Sequence, residues 1–88
     1  MQPHEIQIIR LSLLRHLDAN GTRYGLATGL LRCWIAAEGF KVSDADLEKE
    51  LAYLADKKLV EDVNKKISPE LRAWRITADG RDELAKLS

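Results

Sequence analysis

One cysteine, Cys33, stands among 88 residues. No internal disulfide framework can form, and a reducing cytoplasm is the expected setting. Net charge is also missing: 14 basic residues meet 14 acidic ones. A dedicated nucleic-acid binder usually carries a basic excess, so any cationic patch must come from local segregation. No run approaches the roughly 18 consecutive apolar residues of a membrane span. The opening "MQPHEIQIIRLSLL" lacks a basic segment followed by a clean apolar run, and no signal peptide is expected. The glycines fall into no GxxxxGK[ST] pattern, so no phosphate loop is expected. One cysteine and two distant histidines, His4 and His16, make no metal-ligand spacing. No cofactor, small-molecule pocket or catalytic set is legible, and the chain does not read as an enzyme.

What is present is ordinary globular material, 45% hydrophobic and 32% charged, which fits one domain over residues 1–88. Ile6, Ile9, Leu13, Leu14 and Leu17 recur at three- and four-residue steps and predict a helix from Pro3 to about Ala19, ended by Asn20-Gly21. A second helix is expected over Leu26 to Glu38, with Leu30, Leu31, Trp34 and Ile35 as its buried stripe. Cys33 is expected to be a small buried hydrophobe. Ser43 has the chemistry of an N-cap, Asp44 and Asp46 suit the positive first turn, and Leu47, Leu51 and Leu54 follow at core spacing. That third helix is expected to end near Lys58. Leu59–Val63 and Ala73–Thr77 then read as the two antiparallel strands of a hairpin, separated by the loop 64–72. Thr77 caps a last helix of about ten residues, with Leu84 and Leu87 turned inward. The expected class is mainly α with a two-stranded β-hairpin (α+β), in the order ααα-β-loop-β-α.

Two stretches, "LEKELAYLADKKLVED" (47–62) and "WRITADGRDEL" (74–84), resemble the winged-helix regulators of the MarR, PadR and ArsR families. The first looks like a recognition helix running into the first strand of the wing, the second like the strand that closes it. Over nearly its whole length the chain is also similar to small proteins of Mu-like prophages, encoded among head and packaging genes, through the run from Tyr24 to Glu61. The resemblance implies a winged helix-turn-helix, with the third helix in the major groove of duplex DNA and a basic wing along the backbone. Where the pattern carries glycine before the Leu-Val pair, this chain has Lys58.

On that scaffold Ser43, Lys49 and Tyr53 are the candidates to approach bases, and Lys65, Lys66, Arg72 and Arg75 to hold phosphates. From Asn64 to Arg75 those four cations face Glu70 alone, a net +3. From Ser43 to Lys58 the segment sums to −2, because Asp44, Asp46, Glu48, Glu50 and Asp56 outnumber Lys49, Lys57 and Lys58. That sign opposes insertion among phosphates. Trp34 and Trp74 read as core, and Arg75 as exposed on the strand face opposite Trp74. Two readings stay open: a prophage-type regulator or packaging-associated factor that binds duplex DNA, and a protein-interaction module in phage assembly. Ile8 and Leu11 lie off the main stripe of the first helix, where they are placed to seed a homodimer.

Overall fold

The computed structural model describes residues 3–20, 25–63 and 72–87. Four helices carry a small antiparallel sheet, in the order α1 (Pro3–Asn20), β1 (Leu26–Ala27), α2 (Thr28–Ala37), α3 (Asp44–Asp56), β2 (Val60–Asp62), β3 (Ala73–Ile76) and α4 (Ala78–Leu87). The class is α+β, as expected. No described helix is long and apolar enough to cross a membrane.

The core forms where the apolar faces converge. Ile9, Leu13, Leu14 and Leu17 of α1 meet Leu31 and Ile35 of α2 and Leu47, Leu51 and Leu54 of α3, with Val60, Trp74, Ile76 and Leu84 closing the cluster. The α1 stripe is therefore the one its periodicity predicts, except that Ile6 is only half-buried. Trp74 is 2% exposed. Its indole Nε1–H, which cannot be left dry without a partner, donates to Thr28 Oγ1 at 2.9 Å.

Among the described residues the sheet has three strands, where two were expected. β3 is central, paired on one side with β2 (Val60↔Ile76, Glu61↔Arg75, Asp62↔Trp74) and on the other with β1 (Leu26↔Trp74, Ala27↔Ala73). Leu26 and Ala27, expected to open the second helix, form that third strand instead, and α2 begins at Thr28. The edge of β3 offers unpaired backbone groups, and satisfying them outweighs any local helical preference. Gly25 permits the turn into β1: its φ is +78°, and a Cβ there would lie 2.8 Å from Val63 Cγ2 and 2.9 Å from the Trp74 carbonyl oxygen.

Other expectations need correction. Shortening α2 leaves a buried stripe of Thr28, Leu31 and Ile35. Leu30 is 42% exposed, Trp34 is half-buried against the His16 ring, whose centroid lies 5.1 Å away, and Cys33 is exposed. Leu87 is 56% exposed, because the last residue of α4 reaches past the helices it packs on. The two hairpin strands, Val60–Asp62 and Ala73–Ile76, are also shorter than expected, although single bonds from Thr77 N–H to the Leu59 carbonyl and from Val63 N–H to the Ala73 carbonyl continue the pairing at either end.

Both helix-end signals in the second half are confirmed. Ser43 and Asp46 form a reciprocal cap: the Asp46 N–H donates to Ser43 Oγ at 3.1 Å and the Ser43 N–H to Asp46 Oδ2 at 3.4 Å. Thr77 does more than cap α4. Its Oγ1 accepts from the Gly80 N–H at 3.0 Å and donates to the Lys58 carbonyl at 2.7 Å, while its own N–H donates to the Leu59 carbonyl at 3.0 Å. The start of α4 is thereby tied to the end of α3.

That end departs from the expected one: α3 stops at Asp56, and Lys58 takes φ +62°. The Leu59 N–H bonds to the Leu54 carbonyl at 3.0 Å and the Lys58 N–H to that of Ala55 at 2.9 Å, a helix stop that favours glycine at the left-handed position. Lysine there bears a strain of order 1 kcal/mol. Lys58→Gly is expected to raise stability by about 0.5–1 kcal/mol, since release of that strain exceeds the entropy glycine brings to the unfolded chain. An unchanged or lower urea midpoint would contradict this account of the turn.

Candidate functional site

The surface to be tested is α3 and the β2–β3 hairpin, because the candidate residues with described positions all lie there. With Leu47, Glu50, Leu51 and Leu54 buried, helical geometry turns the opposite ridge outward. That ridge is Ala45, Lys49, Ala52 and Asp56, all exposed. Two small alanines, one lysine and one aspartate leave it low, with its two charges cancelling.

The flanks of α3 are braced by arginines from other helices. On the α2 side Arg32 Nε donates to Asp44 Oδ1 at 2.6 Å. On the α1 side Arg10 Nε donates to Glu50 Oε1 at 2.7 Å, and Glu50 is only 4% exposed. The same Arg10 guanidinium lies over the Tyr53 ring, 3.7 Å from its centroid, with Lys57 Nζ at 5.6 Å. Tyr53 is thus a boundary residue, 41% exposed, with one face held by a cation.

The hairpin treats its arginines likewise. Arg75 faces Glu61 across the β2–β3 register and forms an ion pair with it. Arg72 Nε sits 3.2 Å from Asp62 Oδ2, and its guanidinium lies over Trp74 at 5.4 Å from the ring. Arg75 is half-buried rather than fully exposed, because its aliphatic stem lies along the sheet while its head holds Glu61. Lys65 and Lys66 lie outside the described residues.

The candidates therefore fall into distinct sets. Ser43 is engaged in the α3 cap; Lys49 stands outward on the ridge; Tyr53 faces Arg10; Arg72 and Arg75 lie on and beside β3, each with a carboxylate. The pairs Arg10–Glu50 and Arg32–Asp44 escaped the sequence reading, since partners 40 and 12 positions apart on different elements carry no local signal.

A third network was also missed. Ser12 Oγ donates toward both oxygens of Glu38, at 2.7 and 2.6 Å, and His16 Nε2 lies 2.5 Å from Glu38 Oε1. Burial on its own would raise the Glu38 pKa. The Ser12 hydroxyl, the His16 ring and the charge of Arg15 outweigh it and hold the carboxyl below its ordinary value. Glu38 stands between Ser12 and His16, so the hydroxyl is held by a carboxylate and lacks the serine–histidine contact that activates a nucleophile. The network clasps α1 to the end of α2. Among the described residues, no group of three or more His, Cys, Asp or Glu is placed to hold a metal ion.

Between α1, α3 and α4 runs an open cleft of about 410 Å³, lined by Leu11, Leu14, Tyr53, Leu54, Leu59 and Leu87 among others. Leu11 turns into this cleft, while Ile8 is exposed on the helix beside it. The alternation of apolar and polar residues in α1 and α4 does not announce the cleft, because it arises where the middle of α1 meets the ends of α3 and α4.

Compared with protein-family models, with curated proteins and with solved structures, the chain matches none.

Proposed function

We propose that the chain is a winged-helix module that binds duplex DNA through α3 and its hairpin, with lysines rather than arginines meeting the phosphates. The scaffold part rests on the order of three helices, an antiparallel hairpin and a closing helix that the resemblance implies. The binding part rests on one observation, the pairing of α3's carboxylates with arginines of other elements. Asp44 is answered by Arg32 and Glu50 by Arg10. From residue 41 to 58 this leaves Lys41, Lys49, Lys57 and Lys58, all exposed, against Asp46, Glu48 and Asp56. Asp46 is further engaged in the Ser43 cap. The acidic sum along the segment is a property of the sequence; with Asp44 and Glu50 answered, the exposed Lys41, Lys49, Lys57 and Lys58 along 41–58 outnumber by one the carboxylates that remain.

The test is a fluorescence titration of a 20-base-pair duplex (about 50 and 200 mM salt bracket the expected loss of affinity). Wild type is expected to bind at the lower salt and weaken steeply at the higher. Lys49→Glu and Lys65→Glu/Lys66→Glu are each expected to cost about tenfold or more, as the charge reversals replace phosphate contacts with repulsion. Lys86→Glu, on exposed α4, serves as the neutral control. Wild type that ignores DNA at low salt would refute the reading.

A protein-interaction module is the second reading, and the cleft beside α3 favours it. Tyr53 and Leu87 are exposed at its margin, the pairing of an aromatic anchor with apolar surface that partner proteins use.

A further inference from the structure

We infer that this protein reads the DNA backbone and not base sequence, because the fold withholds from the groove the side chains that discriminate bases. The inference rests on the DNA-binding reading and specifies its partner: duplex DNA of any sequence. Base discrimination in the major groove depends chiefly on bidentate groups, arginine or lysine on guanine and asparagine or glutamine on adenine, with aspartate or glutamate accepting from cytosine. The α3 sequence DADLEKELAYLAD holds no arginine, asparagine or glutamine. Its outward ridge offers Ala45 and Ala52, which carry no side-chain donor or acceptor, Asp56, whose charge phosphates repel, and Lys49, a point charge that suits phosphates as readily as bases.

Four described arginines near α3 and the hairpin each meet a carboxylate. Arg32 holds Asp44 at 2.6 Å and Arg10 holds the buried Glu50 at 2.7 Å. Arg72 is on Asp62 and Arg75 on Glu61. Each of these guanidinia has a carboxylate of this chain as its partner, the Arg10 pair largely buried and the Arg32 and Arg75 pairs open to solvent. Phosphate contacts position a protein without carrying sequence information, and lysines are what the α3 surface has to make them.

The experiment uses the full chain and a panel of 20-base-pair duplexes, A·T-rich, G·C-rich and mixed, with selection from a random duplex pool alongside. Affinities are expected to agree within about threefold, below the roughly fivefold or greater loss that one wrong base pair inflicts on a specific reader. The selected pool is expected to show no motif. A duplex preferred by about thirtyfold, or an emergent motif, overturns the inference while leaving DNA binding intact; silence on every duplex overturns both.

A second pair of variants tests the withheld arginine directly. Asp44 is exposed, so Asp44→Asn leaves the core untouched and releases Arg32. It is expected to tighten binding about three- to tenfold on all duplexes alike. Arg32→Gln is expected to weaken binding by leaving the exposed Asp44 uncompensated, and Arg32→Gln/Asp44→Asn to restore wild-type affinity. An Asp44→Asn variant with wild-type affinity would show that the pair withholds nothing.

Discussion

Replacing Gly80 with alanine is expected to destabilise the protein by on the order of 3 kcal/mol or more, the upper end for overpacking. Gly80 is buried in the first turn of α4, in a position where a Cβ would stand 2.1 Å from the Leu59 carbonyl oxygen and 2.7 Å from Ile76 Cγ1. The nearest obstacle is backbone, so no rotamer change relieves it; α4 would have to lift. Lifting α4 strains the Thr77 bonds to Lys58 and Leu59 and draws Leu84 out of the core. At the roughly 4–8 °C per kcal/mol typical of domains this size, the melting temperature would fall by more than about 10 °C. Gly29 provides the contrast. It lies within α2 with nothing within 4 Å of its missing Cβ, so Gly29→Ala is expected to stabilise by about 0.5–1 kcal/mol through helix propensity alone. Thermal melts of the two variants beside wild type decide the matter, and a Gly80→Ala protein that melts with wild type would disprove the close approach.

The second large effect is expected at Arg10. Arg10→Met keeps much of the side chain's volume but strands the Glu50 carboxylate, 4% exposed, without its partner. Removing one member of a buried pair costs about 3–5 kcal/mol. The Arg10 side chain is itself one-fifth exposed, so water can enter and the loss is expected nearer 2–4 kcal/mol. Part of it reflects the guanidinium lost from the Tyr53 ring, a contact of about 0.5–1 kcal/mol at a partly exposed site. Adding Glu50→Gln is expected to recover most of the loss by removing the uncompensated charge. Chemical denaturation of the two single variants and the double variant closes the cycle. A double variant no more stable than Arg10→Met would mean that Glu50 is hydrated from another direction.

Features written in short-range chemistry were legible in the sequence. The Ser43 cap, the Thr77 start of α4 and the core stripe of α1 each depend on residues three or four positions apart, and each is found where that spacing places it. The departure at Lys58 was legible as well: the missing glycine marks the one described non-glycine residue with positive φ. Features that depend on distant partners were not. Leu26 and Ala27 become a strand only because β3, nearly fifty residues later, offers them an edge. Leu30 reads as core because it adjoins the stripe of Leu31, Trp34 and Ile35, and Cys33 because a free cysteine is usually a small buried hydrophobe. Both are exposed, since distant partners decide which face of α2 is covered. The Arg32–Asp44 and Arg10–Glu50 pairs were hidden for the same reason. Counting along the chain cannot reveal that Asp44 and Glu50 are answered from α2 and α1.

The strand order carries a further consequence. β3 lies between β1 and β2 yet is the last of the three to be synthesised. A nascent chain that has emerged only as far as residue 72 possesses both outer strands and nothing for either to pair with. During translation the whole sheet therefore has to wait for four residues, Ala73 to Ile76, and closes on both sides once they appear.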